Sequence, residues 1–423
     1  MSNTSVTRIP SLPRPRRLWS NDRLARRLLL KVLDRIAVGE LVIHDGPETF
    51  QLGRRDGGGP RAELRVHHPR AWRRVLTGGT IGSGEAYIDG DWSSPDLLRV
   101  TRVFCANLAT MEAMESRKSI LMRLALRAAH RINRNTRQGS RRNIAAHYDL
   151  GNDFFALFLD PTMMYSSALF SDRAATLEAA SEAKLDEICR QLELTAGDHL
   201  LEIGTGWGGM ALHAARHYGC RVTTTTISRE QYQYTLERVR AAGLEERVEV
   251  LCEDYRALSG RYDKLVSIEM IEAVGHAFYR DYFRACSALL KPEGKMVIQA
   301  ITMADQRYEQ ARDSVDFIKR YIFPGGCLPS LAVIADHLAR DTDMQLVHLR
   351  DITDDYARTL ACWRERFTAQ LDAVKRMGFD QRFIRMWEFY LCYCEGGFRE
   401  RIIGTVQLAM AKPGYRFGDS APG

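Results

Sequence analysis

No apolar run in this chain of 423 residues approaches the ~18 needed to cross a bilayer, which excludes a helical membrane-spanning protein. The first 19 residues are rich in Ser, Pro and Arg and hold no apolar stretch, so no secretory signal is expected. No CxxC pair occurs among the nine Cys, and their spacing suggests no disulfide framework; reduced thiols in a cytoplasm are expected, with no metal site. Internal repeats are absent too. At 45% apolar and 27% charged residues the composition is neither collagen-like nor that of a disordered chain. The length suggests two or three globular units.

What is present is an uneven charge. Residues 1–142 hold 27 Lys/Arg against 13 Asp/Glu, a net of +14, whereas the remainder holds 33 against 40, a net of −7. A basic N-terminal third on an acidic body suggests a face for an anionic surface, either membrane headgroups or nucleic acid.

Hydrophobic periodicity divides the chain. Residues 1–20 read as loose, and residues 21–37 as an amphipathic helix capped by Asn21 or Asp22. Strand-like runs at 39–52 and 62–68 flank a turn cluster at 57–60. Pro69 opens a second helix ending near Gly78 and Gly79, and 82–92 is too glycine-rich for a regular element. Residues 1–115 are therefore assigned to a small α+β domain. Residues 117–134 read as a basic amphipathic helix with Arg123, Arg127, Arg131 and Arg134 at helical spacing, and 133–143 as a linker, so 116–143 joins two domains. Over 144–423, helical patterns alternate with apolar runs at 199–203, 221–225, 248–252, 264–268, 295–300 and 345–349. That alternation predicts an α/β domain with a mostly parallel sheet covered on both faces. The tail after Pro413 reads as frayed.

A glycine loop, Gly204-Thr205-Gly206-Trp207-Gly208-Gly209, follows the first of these runs and precedes a helix. Its glycines let the backbone turn tightly and approach a ligand at the helix start. By itself the loop allows a dinucleotide site, an S-adenosylmethionine site or a structural turn. A dinucleotide wants an acid at the end of the second strand, where this chain has only Thr223–Thr226. The acid is Glu202 instead, two residues before the first glycine, suited to the ammonium of S-adenosylmethionine. Thr226 and Gln231 lie where ribose hydroxyls would be held, and Asp254 where adenine N6 would donate.

At this point the chain resembles the cyclopropane-fatty-acyl-phospholipid synthase family over about residues 30–415. The resemblance rests on His147 through Phe155, Met164-Tyr165-Ser166, Glu202 through Gly209, Thr226-Ile227-Ser228 and Asp254-Tyr255-Arg256. It continues through Ser267-Ile268-Glu269-Met270-Ile271-Glu272-Ala273-Val274-Gly275, Tyr321 through Pro329, Tyr356, Cys394 and Gly397-Phe398, with Gly84 through Gly90 matching a smaller N-terminal domain. It implies a class I methyltransferase fold with a seven-stranded, mostly parallel sheet. It also implies methyl transfer from S-adenosylmethionine to the double bond of an unsaturated phospholipid acyl chain, giving a cyclopropane. The cofactor set it implies is Tyr165, Ser166, Glu202, Gly204, Gly206, Gly208, Thr226, Gln231 and Asp254. The alkene is a weak nucleophile and the resulting cation is trapped by water, so the pocket must be dry and a base must stand near the added methyl.

In the family that place is held by a bicarbonate ion, bound by Glu, Tyr, His and Cys. Glu272 and Tyr356 match the first two, and Cys394 matches a further active-site Cys. Ser167 stands where some members have Cys, and Gln299 where they have His. Both can donate hydrogen bonds to an oxyanion, so an anion site is retained, but a role that needs His is lost. Proton loss from a neighbouring carbon would then leave a methylated alkene or methylene group in place of a ring. The expected partners are unsaturated phospholipids and an anionic membrane surface at the inner face of the membrane; a homodimer is left open. The competing readings are a nucleic-acid methyltransferase and a non-catalytic lipid carrier. Against the first, the fourth strand leads into Ser267-Ile268-Glu269-Met270, not an Asn/Asp-Pro-Pro-aromatic run, and no nucleic acid is expected.

Overall fold

The computed structural model describes residues 20–53, 58–110, 150–172 and 175–416. The basic helix and linker read over 116–143, the first part of the His147 motif and most of the tail after Pro413 lie outside the described residues.

The N-terminal unit begins with helix α1 (Ser20–Leu33), whose Ala25, Leu29 and Leu33 recur every fourth position and are buried. Strands β1 (Glu40–Asp45), β2 (Glu48–Gly53), β3 (Arg61–Val66) and β4 (Trp92–Ser93) form a sheet in the order β2-β1-β3-β4. The run read as one strand over 39–52 is thus a hairpin, because Gly46, at φ +61°, turns the chain back on itself. A second correction concerns residues 82–92. Helix α2 (Arg70–Ile88) breaks helical geometry at Gly79 and then resumes through Gly82 and Gly84. Those glycines serve packing. A Cβ on Gly82 would stand 2.0 Å from the Arg74 carbonyl oxygen, and one on Gly84 2.6 Å from the Phe317 ring. Helix α3 (Leu97–Ala106) completes the unit, its first turn capped by Asp96.

The larger unit is built on a seven-stranded sheet, α/β and mostly parallel as expected. Its strands are β5 (His199–Ile203), β6 (Arg221–Thr225), β7 (Val248–Leu251), β8 (Tyr262–Ile268), β9 (Leu290–Met303), β10 (Gln345–Asp351) and β11 (Ile403–Ala411). Their order is β10-β11-β9-β8-β5-β6-β7, with β11 antiparallel to both of its neighbours. The sequence reading missed β11. Its apolar pattern is interrupted by Thr405 and Gln407, both fully buried, and Gln407 is satisfied by side-chain bonds to Gln191 and Gln299.

The chain leaves β5 toward β6 and β7 on one side and returns through β8 and β9 on the other. A crevice therefore opens beyond the carboxyl ends of β5 and β8, where open α/β sheets bind ligands. Helices α4 (Leu177–Leu192), α5 (Arg229–Ala241), α6 (Tyr279–Leu289), α7 (Leu331–Asp341), α8 (Thr353–Ala369) and α9 (Gln381–Arg399) cover the sheet and its approaches. Helix α9 packs on α8 and also on α2 and α3, so it joins the two units. Around it lies an aromatic cluster: Phe154 meets Trp387 and Phe155 meets Trp207, each pair with ring centroids 4.9 Å apart.

Because Gly84 lets α2 lie against Phe317 and Phe389, Gly84→Ala is expected to lower stability by about 1–3 kcal/mol, although Ala favours helix. Thermal unfolding checks this; an unchanged or raised Tm contradicts the packing argument.

Candidate active site

One cavity of about 530 Å³ occupies the crevice and reaches the small domain. Its walls combine the glycine loop, the segments after β6, β7 and β8, residues of α2 and α3, and the inner faces of α8 and α9. Of the residues expected to hold the cofactor, Tyr165, Ser166, Glu202, Gly204, Gly206, Thr226, Gln231 and Asp254 all line it. Gly208 is the exception. It sits at φ +84° with its N–H bonded to the Thr205 carbonyl, and a Cβ there would meet Thr235 at 2.7 Å. Its role is to let the turn into the Gly209–His213 helix pack, not to face a ligand.

The cradle fits S-adenosylmethionine. Gly206, at φ +52°, faces space in which an added Cβ would meet nothing within 4 Å. Glu202 ends β5 buried, accepting a hydrogen bond from Thr224 Oγ1 at 2.7 Å, and burial pushes its carboxyl up to about 8. A cation is what would return it to the ionised form. Thr226 Oγ1 donates to Gln231 Oε1 at 3.0 Å, a pair placed for a ribose. Asp254 is held by Arg256, whose Nε and Nη2 donate to its two oxygens at 2.8 and 2.6 Å. Tyr165 is fixed by a 2.8 Å bond between its hydroxyl and that of Tyr390, and Ser166 Oγ accepts from Lys184 Nζ at 2.9 Å.

The expected reacting residues are arranged differently from the anion-binding set. Tyr356 donates to Glu269 Oε2 at 2.7 Å. Gln299 Nε2 donates to Glu269 Oε1 at 2.8 Å and to the Ser167 carbonyl at 3.2 Å, while its own oxygen accepts from Gln407. The Ser167 N–H donates to Glu269 Oε1 at 2.9 Å, and its hydroxyl turns to the Ala168 carbonyl. Ser167 and Gln299 were expected to present donors to a bound oxyanion. They stand behind the wall, and their donors go to the chain itself. Glu272 lines the cavity: its Oε1 accepts from the Ile301 N–H at 2.5 Å, and its buried Oε2 has no partner among the described residues. Burial first, and then the neighbouring Glu269, push Glu272 up to about 8, toward its protonated form. Cys394 also lines the cavity, but burial drives its thiol far above the ordinary range, so it serves as an apolar wall and not as a thiolate.

Two residues escaped the sequence reading. Glu269 lies in the Ser267 to Gly275 motif, and its signal is a second carboxylate three positions before Glu272 in an apolar run. Lys184 is fully buried on α4. Its signal was a Lys lying on the stripe of Leu177, Ala180, Ser181, Leu185 and Ile188. Burial lowers its ammonium to about 8, opposed by Glu269, Asp160 and Glu202.

A doubly wound sheet, a glycine cradle at its switch point and a buried acid beside that cradle define a class I S-adenosylmethionine-dependent methyltransferase. Comparison with known proteins narrows this. The family "Mycolic acid cyclopropane synthetase" matches residues 135–408, and the chain belongs to that cyclopropane synthase family. The chain is 39% identical over 417 residues to the tuberculostearic acid methyltransferase UfaA1 of Mycobacterium tuberculosis, covering 96% of this chain and 95% of that one. It is 36% identical over 356 residues to the cyclopropane-fatty-acyl-phospholipid synthase of Escherichia coli K12, covering 84% and 89%. Among solved structures, the mycolic acid cyclopropane synthase CmaA1 complexed with SAH and CTAB superposes with a TM-score of 0.60 at 29% identity, covering 64% of this chain and 98% of that one. S-adenosylmethionine is the methyl donor.

Because cofactor binding draws the Glu202 proton off, affinity for S-adenosylmethionine is expected to rise with pH up to about 8, by at most about tenfold per unit below it. Calorimetric titration at several pH values checks this. Glu202→Gln should weaken binding and flatten the profile; a flat profile in the parent protein contradicts the assignment.

Proposed function

We propose that this protein transfers the methyl group of S-adenosylmethionine to the double bond of unsaturated acyl chains in membrane phospholipids and closes the product to a cyclopropane. The observation that carries the reading is the continuity of one largely apolar cavity, from the glycine cradle past two buried carboxylates to Val75, Leu76, Val100 and Phe104 of the small domain. The bound cofactor supplies an electrophilic methyl on a sulfonium. The chain supplies the rest. Its aromatic and apolar walls exclude the water that would capture a cation, and they hold the alkene in line. The buried carboxylates lie where positive charge develops and where a proton must leave.

Membrane association is part of the proposal. Drawing an acyl chain through water costs about 0.8 kcal/mol per methylene, so the enzyme should take its substrate directly from a bilayer. The excess of Lys and Arg over residues 1–142 favours an anionic surface, at about 1 kcal/mol per basic residue close to it. No described helix is long and apolar enough to cross a membrane.

A second reading is methylation without ring closure. The relative named a tuberculostearic acid methyltransferase favours it, as does Gln299, which cannot carry a proton. Purified protein given olefinic phospholipid vesicles and S-adenosylmethionine separates the two. Both products are one carbon heavier; the ring survives mild hydrogenation, whereas a methylated alkene or methylene group takes up hydrogen. Absence of any heavier chain sinks both readings. Binding to anionic vesicles should fall about tenfold or more from low to high salt; salt-insensitive binding removes the electrostatic part.

A further inference from the structure

We propose that Glu269 is the base of the reaction, a carboxylate built into the chain that makes a free oxyanion unnecessary. The inference deepens the cyclopropane reading and rests on it. Once the methyl has been added, the substrate carries a cation on the adjacent carbon. One C–H bond of the new methyl breaks, and its electron pair forms the bond to the cationic carbon. The proton goes to a Glu269 oxygen and leaves to water as product departs.

Four observations converge on this residue. First, Glu269 has φ +48°, a left-handed backbone that a residue with a Cβ seldom adopts, and its N–H is tied to the Gln299 carbonyl at 2.7 Å. Strain held in this way at the end of β8 aims the side chain. Second, its carboxylate accepts from the Ser167 N–H, the Gln299 amide and the Tyr356 hydroxyl at 2.9, 2.8 and 2.7 Å, so three separate segments fix it. Donors of this kind favour the ionised form against the burial that opposes it. Third, it lines the cavity beside Glu272, and although burial pushes both carboxyls up, Glu269 accepts three hydrogen bonds where Glu272 accepts one, so of the two neighbours it is the one whose ionised form the chain supports. Fourth, the donors that could have held a small anion are taken. Gln299 has both amide hydrogens and its oxygen engaged, and the Ser167 hydroxyl bonds to Ala168.

Replacing Glu269 by Gly tests the idea with no added backbone strain, because Gly accepts φ +48°. Glu269→Gly should lower Tm, because three donors lose their acceptor, and lose about 100-fold or more in turnover. The Ser167, Gln299 and Tyr356 donors then surround a carboxylate-sized gap, so added bicarbonate or formate should restore part of that turnover. The isosteric Glu269→Gln should be equally slow and remain unrescued. With carbon-13 bicarbonate, line broadening should report binding to Glu269→Gly and none to the parent. Parent turnover in carbon-dioxide-free buffer should match that with bicarbonate. Parental dependence on bicarbonate, bicarbonate binding to the parent, or parental turnover by both variants overturns the proposal. If the parent makes no modified lipid, the substrate reading fails while the bicarbonate-binding arm still decides what fills this place.

Discussion

A negative charge held in a dry place is the constraint on which the site depends. Carboxylates are among the groups least willing to leave water, and burial raises the affinity of Glu202, Glu269 and Glu272 alike for a proton. The fold answers differently at each position. Glu202 receives one hydroxyl and stands beside the cradle of a cationic cofactor. Glu272 receives one backbone N–H, and its Oε2 has no partner among the described residues. Glu269 receives three donors drawn from the segment before α4, from β9 and from α8. Three acidic side chains in one cavity thus stand in distinct hydrogen-bonding surroundings, without any metal ligand cluster among the described residues.

Holding those donors in place is what much of the surrounding architecture does. Gln299 on β9 is itself fixed by Gln407 on β11, and Gln407 by Gln191 on α4, a chain of amides running through the buried sheet. Tyr356 packs against Phe398 with ring centroids 4.4 Å apart, so α8 and α9 orient the hydroxyl that reaches Glu269. Lys184 lies behind this assembly, anchored to Ser166 and placed to lower the energy of nearby anions. Such networks are costly when incomplete, which is why the chain through Gln191, Gln407 and Gln299 holds its members so closely. The Oε2 of Glu272 is buried without a partner among the described residues, and Glu272 lines the cavity.

The small domain completes the same cavity. Helix α9 carries Tyr390, Tyr393 and Cys394 on its cavity side while gripping α3: the Thr101 hydroxyl donates to the Cys392 carbonyl at 2.9 Å, and a Cβ on Gly396 would meet Thr101 Oγ1 at 2.7 Å. An acyl chain in this cavity would touch both units. The small unit is thereby part of the cavity's wall.

The sequence by itself determined the strand-and-helix alternation, the glycine cradle, the acid before it and the cavity-lining residues Thr226, Gln231 and Asp254. These are local in origin: each motif lies at the end of its own strand, and a parallel sheet brings strand ends together whatever else the chain does. It also marked Glu272 and Tyr356. Tertiary structure alone decided what those residues face. Glu269, Ser167, Gln299 and Tyr356 are separated by dozens of residues, and only the packing of β8, β9 and α8 turns a Ser N–H, an amide and a phenol onto one carboxylate. The same holds for β11 and for the glycines of α2, where buried amides and close helix contacts overrode composition. Hydrogen-bond partners far apart in sequence leave no period to read, because their spacing is set by the fold and not by the chain.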